Sequence, residues 1–112
     1  GSDRIGLTRF QPDEVRADNL AKLVKGGFRA QIMMSQDRHC GWLGKFPRQI
    51  SAQEQAKIDH LRSQGRYPPP YTYIFTDFLP MLHARGVNQA DIASILEDNP
   101  RRFFAGEVLP GA

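Results

Sequence analysis

Cysteine is nearly missing from this sequence. Cys40 is the only one in 112 residues, which rules out an internal disulfide and fits a reducing, cytoplasmic setting. Long apolar runs are missing as well. Nothing approaches the roughly 18 residues of a membrane span, and the chain does not open on a signal-peptide pattern. No membrane partner is therefore expected. Dense basic runs are also lacking. Lys and Arg outnumber Asp and Glu by 15 to 12, a net charge of +3, but the arginines are scattered singly apart from Arg101-Arg102. That is a solvated surface rather than a nucleic-acid footprint. Internal repeats are absent, and strand-like segments are scarce.

What remains, residues 1–112, is enough for one domain and no more. Pro12 opens a helix through Lys25, with Asp13 and Glu14 at the favourable end of its dipole and Val15, Leu20, Leu23 and Val24 as its apolar stripe. Gly26-Gly27 ends it. Ala30 to Ser35 is short and apolar without clean alternation, the pattern of a strand covered on both faces. Residues 36 to 50 read as loop. Ser51 and Glu54 form an S-x-x-E capping box for a helix through Ser63, with Ile58 and Leu61 as its apolar contacts, and Gly65 follows. Pro68-Pro69-Pro70 reads as an extended connector. Tyr73 to Ala84 carries Ile74, Phe75, Phe78, Leu79 and Leu82 at helical spacing, interrupted by Pro80. Asn88 caps a further helix with Ile92, Ile95 and Leu96, and Asn99-Pro100 starts a last turn.

One strand cannot make a sheet. Its backbone donors and acceptors would lack partners, and buried unpaired groups are costly. The chain therefore reads as a piece of a larger α/β structure.

Four segments, in order, resemble the C-terminal third of the phosphotriesterase family, and most closely its lactonase branch, within the amidohydrolase superfamily. Asp3-Arg4-Ile5-Gly6-Leu7 is similar to the end of the family's seventh strand. Gln31-Ile32-Met33-Met34-Ser35-Gln36-Asp37 resembles the eighth strand and its metal-binding aspartate. Phe78-Leu79-Pro80-Met81-Leu82 with Arg85-Gly86-Val87 resembles the final barrel helix, and Asp98 to Phe104 the closing motif. The resemblance implies an α/β fold, the C-terminal part of a (β/α)8 TIM barrel: the end of strand 7, helix 7, strand 8, a long loop 8 with an inserted helix, and terminal helices. A complete barrel needs about 250 residues.

It also implies a chemistry, a metal-dependent hydrolase that opens lactones or cleaves organophosphate esters with metal-activated hydroxide. Asp37 would be a ligand of a binuclear divalent metal centre (zinc or similar) and accept a proton. Arg4 would line the substrate pocket, with Asp3 orienting either it or a metal-ligating side chain. Arg38, His39, Cys40, Trp42, Leu43 and Phe46 would form the pocket wall, with Trp42 packing on an acyl or aryl group. Taken without the resemblance, Asp37 equally fits a turn cap and Arg4 a surface ion pair. Asp37, His39 and Cys40 lie too close in one loop for a self-contained zinc site or Cys-His nucleophile. His60 and His83 read as solvated. Since the family's other ligands lie on earlier strands, the chain alone is expected to be inactive. Its partners would be a small ester or lactone, the remainder of the barrel, and a second copy in a homodimer.

Two other classes compete. Gly86 to Phe104 superficially resembles a helix-turn-helix, with Arg101-Arg102 meeting phosphate. Alternatively, the chain is an inactive paralogue that pairs its strand with another copy of itself.

Overall fold

The computed structural model of the protein describes residues 2–38, 43–45 and 48–108. Helix α1 spans Asp13–Lys25 and α2 spans Ala52–Ser63. A π-helical turn, Ile74–Phe78, runs directly into α3, Leu79–Ala84. After a turn at Gly86, helix α4, Gln89–Ala93, passes through a second π turn, Ser94–Asp98, into α5, Asn99–Phe104.

The helix ends follow local chemistry. Pro12 is the cap residue of α1 rather than its first turn. At the other end, the Gly27 N–H reaches Val24 O and the Phe28 N–H reaches Leu23 O, a closing pattern that requires the left-handed φ of +91° at Gly27. The Ser51 side chain accepts from the Glu54 N–H at 3.1 Å, but the Glu54 carboxylate turns away to Arg48, so only half of the expected capping box forms. Asn88 and Asp91 form a complete, reciprocal one.

Pro80 and Pro100 lie inside continuous rods. Each follows a π turn that hands the chain on through an i→i−5 bond, Leu79 N–H to Ile74 O in one and Asn99 N–H to Ser94 O in the other. Proline has no N–H and its ring crowds the carbonyl four residues back. Widening the preceding turn accommodates both. Because the helix runs through Pro100, no separate recognition helix begins there, and the helix-turn-helix reading loses its second helix.

The sequence-predicted strand at Ala30 to Ser35 is corrected. A 3-10 turn occupies Arg29–Gln31, and the chain is extended only beyond it. Among the described residues no strand forms; a single parallel bridge joins Ser2 and Met34. Three bonds support it: Ser2 N–H to Met33 O, Ser35 N–H to Ser2 O, and Ile5 N–H to Ser35 O. The apolar residues of the segment are used for packing, with Ile32 buried and Met34 against the core. The tri-proline run, expected to be extended, opens on a cis Tyr67–Pro68 bond.

The core joins α1 to both rods through Ile5, Ala17, Leu20, Ala21, Ile32, Ile74, Phe78, Leu82, Val87, Ile92 and Ile95. Burying each large aliphatic or aromatic side chain contributes roughly 1.5–3 kcal/mol. The α1 stripe differs from expectation. Ala17 and Ala21 face inward beside Leu20, while Val15 and Leu23 are 40% and 47% exposed; Phe75 is also outside, at 61%. Buried Asn99 ties the closing helix to the 3-10 turn, its Nδ2 donating to Arg29 O and Ile32 O at 2.7 Å each.

The result is a slab of 44 × 32 × 21 Å, with a radius of gyration of 15.9 Å. A compact chain of this length would have about 13 Å. No helix is long and apolar enough to cross a membrane.

Candidate functional site

The bridged segments run parallel, so residues 3–5 and 35–38 leave the pairing at the same end. Arg4 and Asp37 meet there, Arg4 Nε lying 3.6 Å from Asp37 Oδ2, with both side chains about half exposed. Both residues have a left-handed backbone, φ +59° at Arg4 and +52° at Asp37, and they are the only non-glycine residues at positive φ among those described. For an L-residue this conformation costs roughly 1–2 kcal/mol. Surrounding bonds must hold it, and such outliers cluster at functional sites.

The bonds around Asp37 come from the proline run. Gln36 Nε2 donates to Pro70 O at 2.9 Å and Arg38 Nε donates to Pro69 O at 3.0 Å, so both neighbours of Asp37 are anchored to it. Arg38 also stacks on Tyr71, 4.8 Å from the ring centroid. Sequence reasoning placed Arg38 in a pocket wall without foreseeing this anchoring. The carbonyls of a tri-proline run, which has no N–H groups of its own, were the available signal.

Arg4 is held from the other side. Leu7 N–H bonds Arg4 O at 3.0 Å, closing a turn whose third residue is Gly6 at φ +90°. A side chain at Gly6 would lie 3.0 Å from Tyr73 Cδ1 and 3.2 Å from Pro69 Cβ, so space and conformation both call for glycine. The Gly6 N–H is bound by both carboxylate oxygens of Asp13, at 3.2 and 3.0 Å. Asp13 also accepts from Tyr73 Oη and from Arg16 Nη1, each at 2.7 Å. Arg16 donates further to Gln11 O and Leu7 O. Asp13 and Arg16 are 1% and 7% exposed, a satisfied buried pair that clamps residues 6–11. Burial, with the Asp13 hydrogen bond second, pushes the Tyr73 hydroxyl pKa far above the ordinary phenol value. Sequence reasoning missed this network, having read Asp13 only as a partner of the helix dipole.

Asp3 accepts from Ser35 Oγ at 2.5 Å and from the Arg4 N–H at 2.8 Å. The Ser35 bond is the main reason its carboxyl titrates below the usual value. Asp3 thus contacts Arg4 through the Arg4 backbone N–H. His39, Cys40, Trp42 and Phe46 lie outside the described residues. Leu43 is fully exposed, and His60 and His83 are exposed.

Asp37 has the chemistry of a metal ligand, a carboxylate bound by nothing tighter than a 3.6 Å ion pair. It cannot hold an ion by itself. Among the described residues no three His, Cys, Asp or Glu side chains converge as a metal site would require. A carboxylate like Asp37 would fit a metal site only as one ligand among several.

Comparison with known proteins bears on the same segment. The profile of the Phosphotriesterase family matches residues 1–104. An aryldialkylphosphatase of Saccharolobus solfataricus is 32% identical over 94% of this chain, and a phosphotriesterase homology protein of Escherichia coli 31% identical over 91%. A phospho-furanose lactonase of Mycoplasmopsis synoviae is 30% identical over 94% of the chain. The solved structure of a phosphotriesterase from Mycobacterium tuberculosis superposes with a TM-score of 0.69 at 25% identity, covering 98% of this chain and 30% of that one. The chain spans 25–30% of the length of these curated relatives.

Proposed function

Because the chain belongs to the phosphotriesterase family, we propose that it supplies the C-terminal part of a metal-dependent (β/α)8-barrel hydrolase that opens lactones or cleaves organophosphate esters. The observation that carries this reading is the Arg4–Asp37 pair, two left-handed residues brought together at the shared C-terminal end of two parallel segments. That end of a barrel strand is where such folds place their chemistry.

In this reading Asp37 is one ligand of a divalent metal pair, zinc or similar, and accepts a proton during hydrolysis. A bound metal pair supplies an activated water and polarises the ester or lactone carbonyl or phosphoryl group. Arg4 faces the charge that develops on that oxygen. Asp3, its carboxyl held low chiefly by Ser35, fixes the Arg4 backbone through the Arg4 N–H, and this pairing favours a lactone over a phosphotriester as substrate. Arg38, His39, Cys40 and Trp42 border the substrate. The remaining ligands come from the rest of a barrel. The slab-like shape and the exposed Val15, Leu23 and Phe28 support a further layer of chain packing on this one.

The test is the metal content of the purified chain, together with hydrolysis of a lactone and of paraoxon by the same sample. The chain alone should be metal-poor and inert, and Asp37→Asn should weaken its residual zinc binding. Near-stoichiometric metal with turnover would overturn the partial-barrel reading. Zinc binding unchanged by Asp37→Asn would remove the ligand role.

A further inference from the structure

Arg4 is the first rung of a ladder that leads away from the Asp37 pair. The Phe10 ring meets two guanidinium groups, those of Arg4 and Arg9, each 4.6 Å from its centroid. Tyr67 follows, with Arg9 at 5.6 Å and Arg62 at 5.8 Å. Stacking of this kind fixes a guanidinium plane while leaving its N–H groups to find acceptors elsewhere. Beside the ladder is a groove of about 300 Å³ where Arg9, Arg48 and Lys57 meet the first turn of α2.

Arg9 is unusual in this groove. Its side chain is 11% exposed, yet it donates no hydrogen bond among the described residues. Its Nε is buried without an acceptor, and its Nη1 stands 3.7 Å from Glu54 Oε1, beyond hydrogen-bond reach. Glu54 is already committed to Arg48 through two bonds of 2.9 and 2.7 Å, which is the main reason its carboxyl titrates below the usual value. Three cationic side chains thus share one occupied carboxylate. Within α2, Ser51 caps the Glu54 N–H, leaving the Gln53 N–H of the first turn as an orphan donor at the same groove. The groove therefore sets three cationic side chains against one carboxylate, a local excess of positive charge that a planar or tetrahedral oxyanion would offset.

We propose that this groove is a binding site for a small oxyanion, a phosphate or carboxylate group, held by Arg9 and Lys57 at the N-terminal turn of α2. Phe10 contacts both Arg9 and Arg4, so an anion bound here lies one ring from the Arg4–Asp37 pair. It would select substrates that carry a negative charge at the end remote from the bond broken. That use as a subsite rests on the hydrolase reading; the binding itself does not.

The experiment is calorimetric titration of the 112-residue chain at low ionic strength, with inorganic phosphate in one arm and malonate in the other. Saturable binding should weaken with added salt. Lys57→Gln, an exposed change that leaves the fold intact, should weaken it about threefold, as loss of one surface ion pair does. Arg9→Gln should weaken it about tenfold or more. Glu54→Gln should act in the opposite sense and tighten binding, because it removes the internal competitor for Arg9 and Arg48. Response to phosphate alone identifies a phosphoryl group as the ligand, and response to both admits carboxylates. No saturable binding of either ion, or tightening absent in Glu54→Gln, overturns the proposal. Neither result depends on metal content or turnover.

Discussion

Replacing Asp13 by asparagine strikes the buried clamp without changing its shape. In the native chain the carboxylate accepts from the Gly6 N–H, the Tyr73 hydroxyl and the Arg16 guanidinium. An amide at this position has one acceptor oxygen for these three donors, and its NH2 must face one of them. Breaking a buried ion pair by removing one partner costs about 3–5 kcal/mol. Arg16 keeps the Gln11 and Leu7 carbonyls, so the lower end applies, about 3 kcal/mol. For a domain of this size that is a fall in Tm of roughly 12 °C or more. Tyr73→Phe removes only one of the three donors, with the ring retained, and should cost about 1–2 kcal/mol. Circular dichroism melts of both variants check the ranking. Amide exchange adds a local measure, since the Gly6 N–H should lose protection in Asp13→Asn and keep it in Tyr73→Phe. If Asp13→Asn proved as stable as the native chain, or more stable than Tyr73→Phe, the clamp would not be holding the Arg4 turn.

Three shorter predictions follow from the same region. Tyr73 has a raised pKa in the fold, so its contribution to stability is intact below the unfolded phenol value of about 10 and is lost as pH climbs beyond it; alkaline melts should show this decline, reduced in Tyr73→Phe. Ser35→Ala should let the Asp3 carboxyl rise toward its ordinary value, as followed by NMR titration; the part of stability linked to Asp3 is present above about 3.8 and lost as pH falls below it. At Asp37, valine should be about 1–2 kcal/mol less stable than glycine, because only the latter accepts a φ of +52° without penalty; equal melting temperatures would contradict the left-handed assignment.

Local signals in the sequence were legible where the chemistry was local. The Asn88 cap, the Gly26-Gly27 stop and the C-terminal ends of α1 and α2 at Lys25 and Ser63 depend on residues within a few positions of one another, and the structure shows them as read, while each helix starts one residue later than expected, with Pro12 and Ser51 as caps. The Ala30–Ser35 strand failed because apolar composition does not distinguish a strand from an extended segment that packs without a ladder. In α1, a rule that counts large apolar residues chose Val15 and Leu23 over Ala17 and Ala21. The helix approaches α3 along a face where small residues let it come close. The Arg4–Asp37 meeting was legible only through family likeness, since 33 positions separate the two residues. The Asp13 clamp and the Arg9 ladder were not legible at all, because each links residues 50 or more positions apart through geometry that no spacing rule encodes.

The two π turns have a bearing on how this sequence can drift. Each holds one residue more than an α-helical turn would, an extra position lodged inside a rod that did not break. Deleting a residue between 74 and 78 would restore regular winding and shift everything upstream by about 100° relative to what lies downstream. Ile74 and Phe78 now share the core; after such a deletion one of them would turn toward solvent, and Pro80 would collide with the carbonyl behind it. The same holds for 94–98 ahead of Pro100, where the partner at stake is Asn99 and its hold on Arg29 and Ile32. Length in these ten positions is therefore constrained more tightly than side-chain identity, and they should accept substitutions while resisting any change in residue count.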